Sequence, residues 1–309
     1  MIERFGIITN CTARKRAVEP VARLKPAQLT GGAALVADRW LCATANTEAA
    51  TTAGELYVGR AMSESKAVAT HLAASLHVVS AGLGLAAQDD PVPNYDMTVA
   101  TGVGSLAPAL AQAGSGTSDW WQELNARKGT PLPLSQLVNR SKSTRFLIAL
   151  PSAYVAMLER DLAHIQDKSL DRLRIFTSAS GAKSVAPRLQ SCVLPYDERL
   201  EGLKGYAGTR SDFPQRAMRH FVEQIQGHAM DAELAKEAVR QALNLLKKPL
   251  IPARVRKTDA EILDLIRTQW CTYAGSSSRL HRYLRDTALV ACEQARFGGL
   301  WRQVKTEIQ

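Results

Sequence analysis

The sequence predicts an α/β fold, a mostly parallel sheet flanked by helices in the Rossmann-like manner, followed by a small helical module. Short apolar runs at residues 5–9, 78–81, 145–150 and 173–177 alternate with stretches of helical periodicity. That order is the one produced by parallel strands joined through crossover helices. Each run opens onto polar turn residues, as strand ends do. After residue 248 the pattern becomes helical and basic. The expected division is an α/β domain over 1–228 and a helical module of helix-turn-helix or winged-helix type over 229–309, with a linker at about 248–257.

Residues 5–9 read as a buried strand opening onto Asn10, Cys11, Thr12, Ala13, Arg14, Lys15 and Arg16. This polar, basic loop suits an anion, and a solvated charged turn accounts for it as well. Residues 40–45 read as a further short strand. Met62, Val68, Ala69, Leu72 and Leu76 fall at helical spacing and make 61–76 an amphipathic helix. The next strand, 78–81, runs into a turn built on Gly82 and Gly84. The interval 97–133 is rich in Gly, Ala, Ser and Pro around Trp120 and Trp121, and reads as an irregular connection holding one short helix.

Order resumes with a strand inside 145–152, a helix to about 164, a strand at 173–177, a turn at 178–181 and a strand end at 192–197. Helices follow at 213–226 and 231–247. Beyond the linker, Thr258 and Glu261 have the spacing of a capping box. The helix they begin carries Ile262, Leu265, Ile266 and Trp270 on one face. Further helices start at Ser276 and at Cys292.

The net charge of +10, from 39 Lys and Arg against 29 Asp and Glu, makes nucleic acid the leading partner. The five cysteines are odd in number and scattered, with no Cys-x-x-Cys pair, which argues against a zinc site or disulfide framework. No Walker pattern appears, and no Gly-x-Gly-x-x-Gly follows a strand, so nucleotide cofactors are disfavoured. The expectation is an enzyme without cofactor or metal. No apolar run approaches the ~18 residues of a membrane span, and the first residues lack a signal-peptide pattern. A reducing cytoplasm is the expected compartment, and the oligomeric state stays open.

The carboxylates Asp89, Asp90 and Asp96 follow the glycine turn on a loop stiffened by Pro91 and Pro93. Such a loop at a strand end can supply a general base or an electrostatic stabiliser at a sugar carbon; a capped surface turn is the competing account. Asp90 and Asp96 are the catalytic candidates, with Asn10 and Ser80 as polar orienters. Tyr57 and Tyr95 can stack on a base, or can be core residues. Gly82 and Ser178 complete the substrate-binding candidates, since a parallel sheet gathers its strand ends along one edge. Arg14, Lys15, Arg210 and Arg216 are phosphate-contact candidates, the last two in a glycine-containing loop before a helix. In the C-terminal module Arg279, Arg282, Arg285, Arg296, Arg302 and Lys305 flank the helices, and Arg279, Arg282 and Arg296 are taken as DNA contacts.

These segments together resemble a grouping of YaaA-like and nucleoside-deoxyribosyltransferase-like proteins. The resemblance rests on Asn10-Cys11-Thr12 with Arg14-Lys15, on Glu55-Leu56-Tyr57-Val58-Gly59-Arg60, and on Ser80-Ala81-Gly82-Leu83-Gly84-Leu85 followed by Asp90 and Pro93-Asn94-Tyr95-Asp96. It covers about the first 100 residues, and Asn94 departs from the Pro-Tyr-Asp of that grouping. The whole arrangement with its basic tail is also similar to Brig-type anti-phage DNA glycosylases. That resemblance implies cleavage of an N-glycosidic bond in double-stranded DNA, removing a modified base such as glucosylated hydroxymethylcytosine and leaving an abasic site. A carboxylate would stabilise the oxocarbenium character that develops as the base departs, and a flipped nucleotide would need an aromatic pocket and a phosphate grip. A DNA-binding regulator that senses a nucleotide or sugar, and a nucleoside or base transglycosylase, are the alternatives.

Overall fold

A computed structural model describes residues 4–99, 105–249 and 252–308. Expectations placed on residues 1–3, on the 100–104 part of the connection and on the 250–251 part of the linker lie outside the described residues. The chain divides into two compact units, Met1–Lys248 and Pro249–Gln309.

The first unit is built on β1 (Arg4–Asn10), whose last five residues are buried. After the short β2 (Val21–Ala22), residues 32–45 form helix α1 (Gly32–Ala45). This corrects the strand expected at 40–45: Ala33, Val36, Ala37 and Trp40 recur at helical spacing and are its buried stripe. Next come β3 (Thr51–Thr52), α2 (Ala53–Leu56) and α3 (Arg60–His71), which buries Met62, Ser65, Val68 and Ala69 against the sheet side.

β4 (Ser75–Ser80) is followed at once by β5 (Gly84–Ala87), an antiparallel hairpin return that the sequence reading took as loop. β6 (Pro91–Val92) and β7 (Asn94–Tyr95) then pair away from the main sheet, β6 with β3 and β7 with β2. The supposedly irregular connection contains helices α4 (Ala107–Gln112) and α5 (Thr117–Arg127). Trp120 and Trp121 are fully buried in α5, so that segment is core rather than loop. Helix α6 (Pro133–Arg140) leads to β8 (Thr144–Ala149).

The helix expected to run to 164 is two pieces, α7 (Ser152–Met157) and α8 (Glu159–Ala163), before β9 (Leu173–Phe176). The turn at 178–181 begins a helix, α9 (Ala179–Lys183), because Ser178 accepts a hydrogen bond from the Gly181 N–H as its N-cap. No strand forms at 192–197; Val193 makes only an isolated bridge to Ile175. Helices α10 (Phe213–Glu223) and α11 (Ala232–Asn244) complete the unit. Ala235, Val239 and Leu243 of α11 are buried in the same core as the sheet, which moves the boundary from the expected 228 to 248.

The main sheet has the order β5-β4-β1-β8-β9, parallel throughout except for β5. It is a mixed, mostly parallel sheet flanked by helices. β1 is central because Ile7 and Ile8 are fully buried and Gly6 leaves room for the neighbouring Phe146, whose ring would lie 2.6 Å from a Cβ at that position.

The second unit is helical: α12 (Asp259–Thr268), α13 (Ser277–Asp286) and α14 (Gln294–Ile308). Ile262, Ile266, Leu280, Leu284, Val290, Phe297 and Val304 form its core. The capping box expected at Thr258 and Glu261 is present: the Glu261 N–H donates to Thr258 Oγ1, and the Thr258 N–H donates to Glu261 Oε2. Lys257, with the two Thr258 donors, holds the Glu261 carboxyl down to about 2. Among the described residues no helix is long and apolar enough to cross a membrane.

Candidate active-site edge and basic second unit

Parallel strands deliver their carboxyl ends to one edge of a sheet, and a crevice opens where the chain departs in opposite directions from a central strand. Here that strand is β1, with β4 on one side and β8 on the other. The edge is therefore made by Asn10 and Cys11, Ser80 and Ala81, Ala149 and Leu150, and Phe176 and Thr177.

Between β1 and β8 the crevice is filled by Gln215, from the first turn of α10. Its Nε2 donates to Asn10 Oδ1 at 2.8 Å, to the Ala149 carbonyl at 2.8 Å and to Thr9 Oγ1 at 3.1 Å. Asn10, a catalytic candidate, is thereby held on both ends of its amide, since its Nδ2 donates to the Cys11 carbonyl at 2.7 Å. Two buried oxygens at this edge, Gln215 Oε1 and Thr177 Oγ1, have no hydrogen-bond partner among the described residues. Tyr154 reaches the same place, its hydroxyl 3.0 Å from Cys11 Sγ. The sequence places Gln215 beside Arg216 in the first turn of a helix after a polar loop, but its partners Thr9 and Asn10 lie some two hundred residues away, a separation that no local pattern records.

Beside β1, on the β4 side, lies a buried hydroxyl cluster. Tyr57 OH donates to Ser80 Oγ at 3.1 Å and lies 3.0 Å from Tyr95 OH. Ser80 Oγ is 2.7 Å from Tyr95 OH and accepts from the Leu83 N–H at 2.9 Å. Burial pushes the Tyr57, Tyr95 and Tyr154 phenols up, so they stay protonated and act as donors. Tyr57 and Tyr95 are each about 1% exposed, and their rings pack edge-to-face with each other and, for Tyr95, with Trp40. This corrects the base-stacking assignment: both ring faces are spent inside the protein. Gly82 has the same internal purpose, since a Cβ there would lie 2.8 Å from the Tyr95 ring and 3.0 Å from Trp40.

Lys15 joins this cluster from the loop after β1. Its Nζ sits 4.2 Å from the Tyr95 ring centroid, and its backbone bridges to Tyr57. Burial lowers its ammonium pKa from the ordinary value, opposed by charge at Cys11 and Asp96. Arg14 beside it is exposed.

The carboxylates are surface groups. Asp90 is exposed, and its Oδ2 accepts the Ala87 N–H at 2.7 Å, closing the turn between β5 and β6. Asp96 is exposed just after β7, and among the described residues it makes a loose 3.8 Å ion pair with Arg23. The two are carried by different ribbons, β6 with β3 and β7 with β2. Asn94 is built in: its Nδ2 donates to the Val18 carbonyl at 2.6 Å and its Oδ1 accepts the Tyr95 N–H at 2.8 Å. A carboxylate absent from the sequence candidates is buried instead. Asp161 accepts from Trp121 Nε1 and from the N–H groups of Leu134 and Ser135, capping α6 from a distance in sequence.

Arg216 does not face an anion outside the protein. It is fully buried, donating to Asp212 Oδ1 at 2.6 Å, Glu201 Oε1 at 2.8 Å, the Thr209 carbonyl at 2.7 Å and the Tyr206 carbonyl. Its guanidinium clamps the 201–212 loop to α10. Arg210, in that loop, is exposed and has no ion pair among the described residues. Ser178 is occupied as the cap of α9.

In the second unit Arg279, Arg282 and Arg285 recur every third residue of α13, on the side opposite the buried Leu280 and Leu284. All three are exposed and without ion pair among the described residues. Arg302 on α14 is likewise exposed, and Lys305 lies over the Trp301 ring at 5.4 Å. Arg296 is different: it pairs with Asp259 at 2.6 Å and donates to the Lys257 carbonyl, so it braces α14 against the start of α12. A cavity of about 400 Å³ opens at the start of α13, lined by Ser276, Ser277, Ser278, His281, Gln294 and Phe297 among others. Among the described residues no group of three or more His, Cys, Asp or Glu is placed to hold a metal ion.

Comparison with known family models, curated proteins and solved structures returns no match.

Proposed function

We propose that the chain is an N-glycosidic bond hydrolase acting on DNA, in which the edge of the first unit releases a base and the second unit grips the phosphate backbone. The observation that carries this reading is the row Arg279, Arg282 and Arg285. Three cations directed away from their own core, with no acid paired to them among the described residues, keep their full charge for an external polyanion. The three lie on one exposed face of α13, and that row is a surface available to phosphates. A helix-turn-helix mode of docking, with α13 or α14 as the inserted helix, belongs to the same proposal.

Within this reading Asp96 is the better catalytic carboxylate. Asp90 is tied to its own turn by the Ala87 N–H, whereas among the described residues Asp96 makes a loose, solvent-exposed pair and sits next in sequence to Tyr95. Asp96 can stabilise positive charge developing at C1′ and orient the attacking water. The base is then read by edge groups other than Tyr57 and Tyr95.

The deciding experiment incubates the protein with unmodified duplex and with duplex carrying glucosylated hydroxymethylcytosine, then scores abasic sites by alkaline cleavage. Strand breakage confined to the modified DNA and lost in Asp96→Asn supports the proposal. Tight binding without abasic sites on either duplex favours a DNA-binding regulator instead.

A further inference from the structure

Among the lysines, Lys15 stands apart. Lys236, Lys248 and Lys257 are each paired with a glutamate, and Lys128 donates its Nζ to the Leu83 carbonyl. Lys15 is half-buried with neither a hydrogen bond nor an ion pair at Nζ among the described residues. Its segment is pinned from both sides, the Arg16 N–H donating to the Leu56 carbonyl and the Val58 N–H to the Arg14 carbonyl. The amine is thus set in one place against the Tyr95 ring, beside the strand end that carries Asn10 and close enough to Asp96 to feel its charge.

We propose that Lys15 Nζ is a nucleophile that condenses with the aldehyde of an abasic deoxyribose, giving this protein a strand-cleaving lyase step after base release. This rests on the reading that an aldehydic sugar is produced at this edge. A lysine partly removed from water, with no hydrogen bond or ion pair at Nζ among the described residues, reaches the neutral amine form more readily than a solvated one, even with the opposing charge of Asp96 nearby.

The step balances without redox chemistry. The amine nitrogen bonds to C1′ of the ring-opened sugar, and the aldehyde oxygen leaves as water, forming an imine. The base that takes a proton from C2′ is assigned to Asp96, exposed and next in sequence to the Tyr95 that Lys15 covers. The C2′–H electron pair forms the new double bond as the C3′–O bond breaks, and the 3′ phosphate departs with that bonding pair. Water then hydrolyses the imine and restores Lys15.

The test supplies the aldehyde directly. Full-length protein is mixed with a duplex carrying a single preformed abasic site, with sodium borohydride to reduce the imine, and the products are resolved under denaturing conditions. The expected result is a covalent protein–DNA adduct whose cross-linked peptide contains Lys15, reduced at least tenfold in Lys15→Arg while duplex affinity stays within a few-fold. Absence of an adduct, or an adduct mapped to another lysine, overturns the proposal. Because the abasic duplex bypasses base release, trapping at Lys15 without glycosylase activity would leave this inference standing while removing the hydrolase reading; base release without trapping would do the reverse.

Discussion

Replacing Arg216 by alanine separates a phosphate-gripping arginine from a structural one. The guanidinium is fully buried and serves two carboxylates and two carbonyls. Deleting one partner of a buried pair typically costs ~3–5 kcal/mol, because the remaining charge is left without compensation. The acids here retain some access to water, with side-chain exposures of 10% for Asp212 and 24% for Glu201, so the loss belongs at the lower end, about 3 kcal/mol. For a unit of this size that lowers the melting temperature by roughly 6–12 °C. Urea unfolding followed by near-ultraviolet circular dichroism measures it, with Arg210→Ala as the control. Arg210 is exposed, and its removal shifts stability by no more than ~0.5 kcal/mol. An Arg216→Ala protein that unfolds at the wild-type urea concentration but binds duplex DNA more weakly would refute the reasoning.

Two further outcomes follow from the geometry. Burial lowers the His220 imidazole pKa to about 4, below its ordinary 6.5. As pH falls the unfolded chain takes up the proton first, so the His220 contribution is complete above about pH 6.5 and is lost progressively down to about pH 4. It amounts to about 3 kcal/mol at most. Acid titration of stability in wild type and His220→Gln measures this, and parallel curves across that window would show that His220 is not responsible. Replacing Arg279, Arg282 and Arg285 together by serine should weaken binding to any duplex and reduce the slope of log affinity against log salt by up to ~3. Arg296→Ser, which breaks a mostly exposed pair, should leave that slope within about one, and equal slopes in the triple variant and wild type would remove α13 from the interface.

How much was legible from sequence depends on the range of the interactions. The strands β1, β4, β8 and β9 and the capping box at Thr258 rest on apolar runs and on a three-residue spacing, and these are contained in a few neighbouring positions. Trp40, Leu41 and Cys42 look strand-like on their own, and the helix at 40–45 becomes visible only together with the stripe Ala33, Val36 and Ala37. The division at 248 depended on where α11 buries its apolar face, and an amphipathic helix does not announce which core will receive it. The candidate residues divide in the same way. Exposure of Asp90, Asp96 and Arg279 is compatible with their polar local settings, while the burial of Tyr57, Tyr95 and Arg216 arises from partners brought together only by folding.

The sequence by itself therefore determined the α/β class, the parallel strands that carry the edge, the basic charge and the helical C-terminal unit, since each is a property of local pattern or composition. Only the tertiary structure decided that Gln215 closes the crevice beside Asn10, that the tyrosines face inward, that Arg216 is a clamp and that Lys15 lies against Tyr95 with no ion pair among the described residues. Those outcomes depend on which distant groups compete for each hydrogen bond and each buried surface, and that competition exists only once the chain is folded.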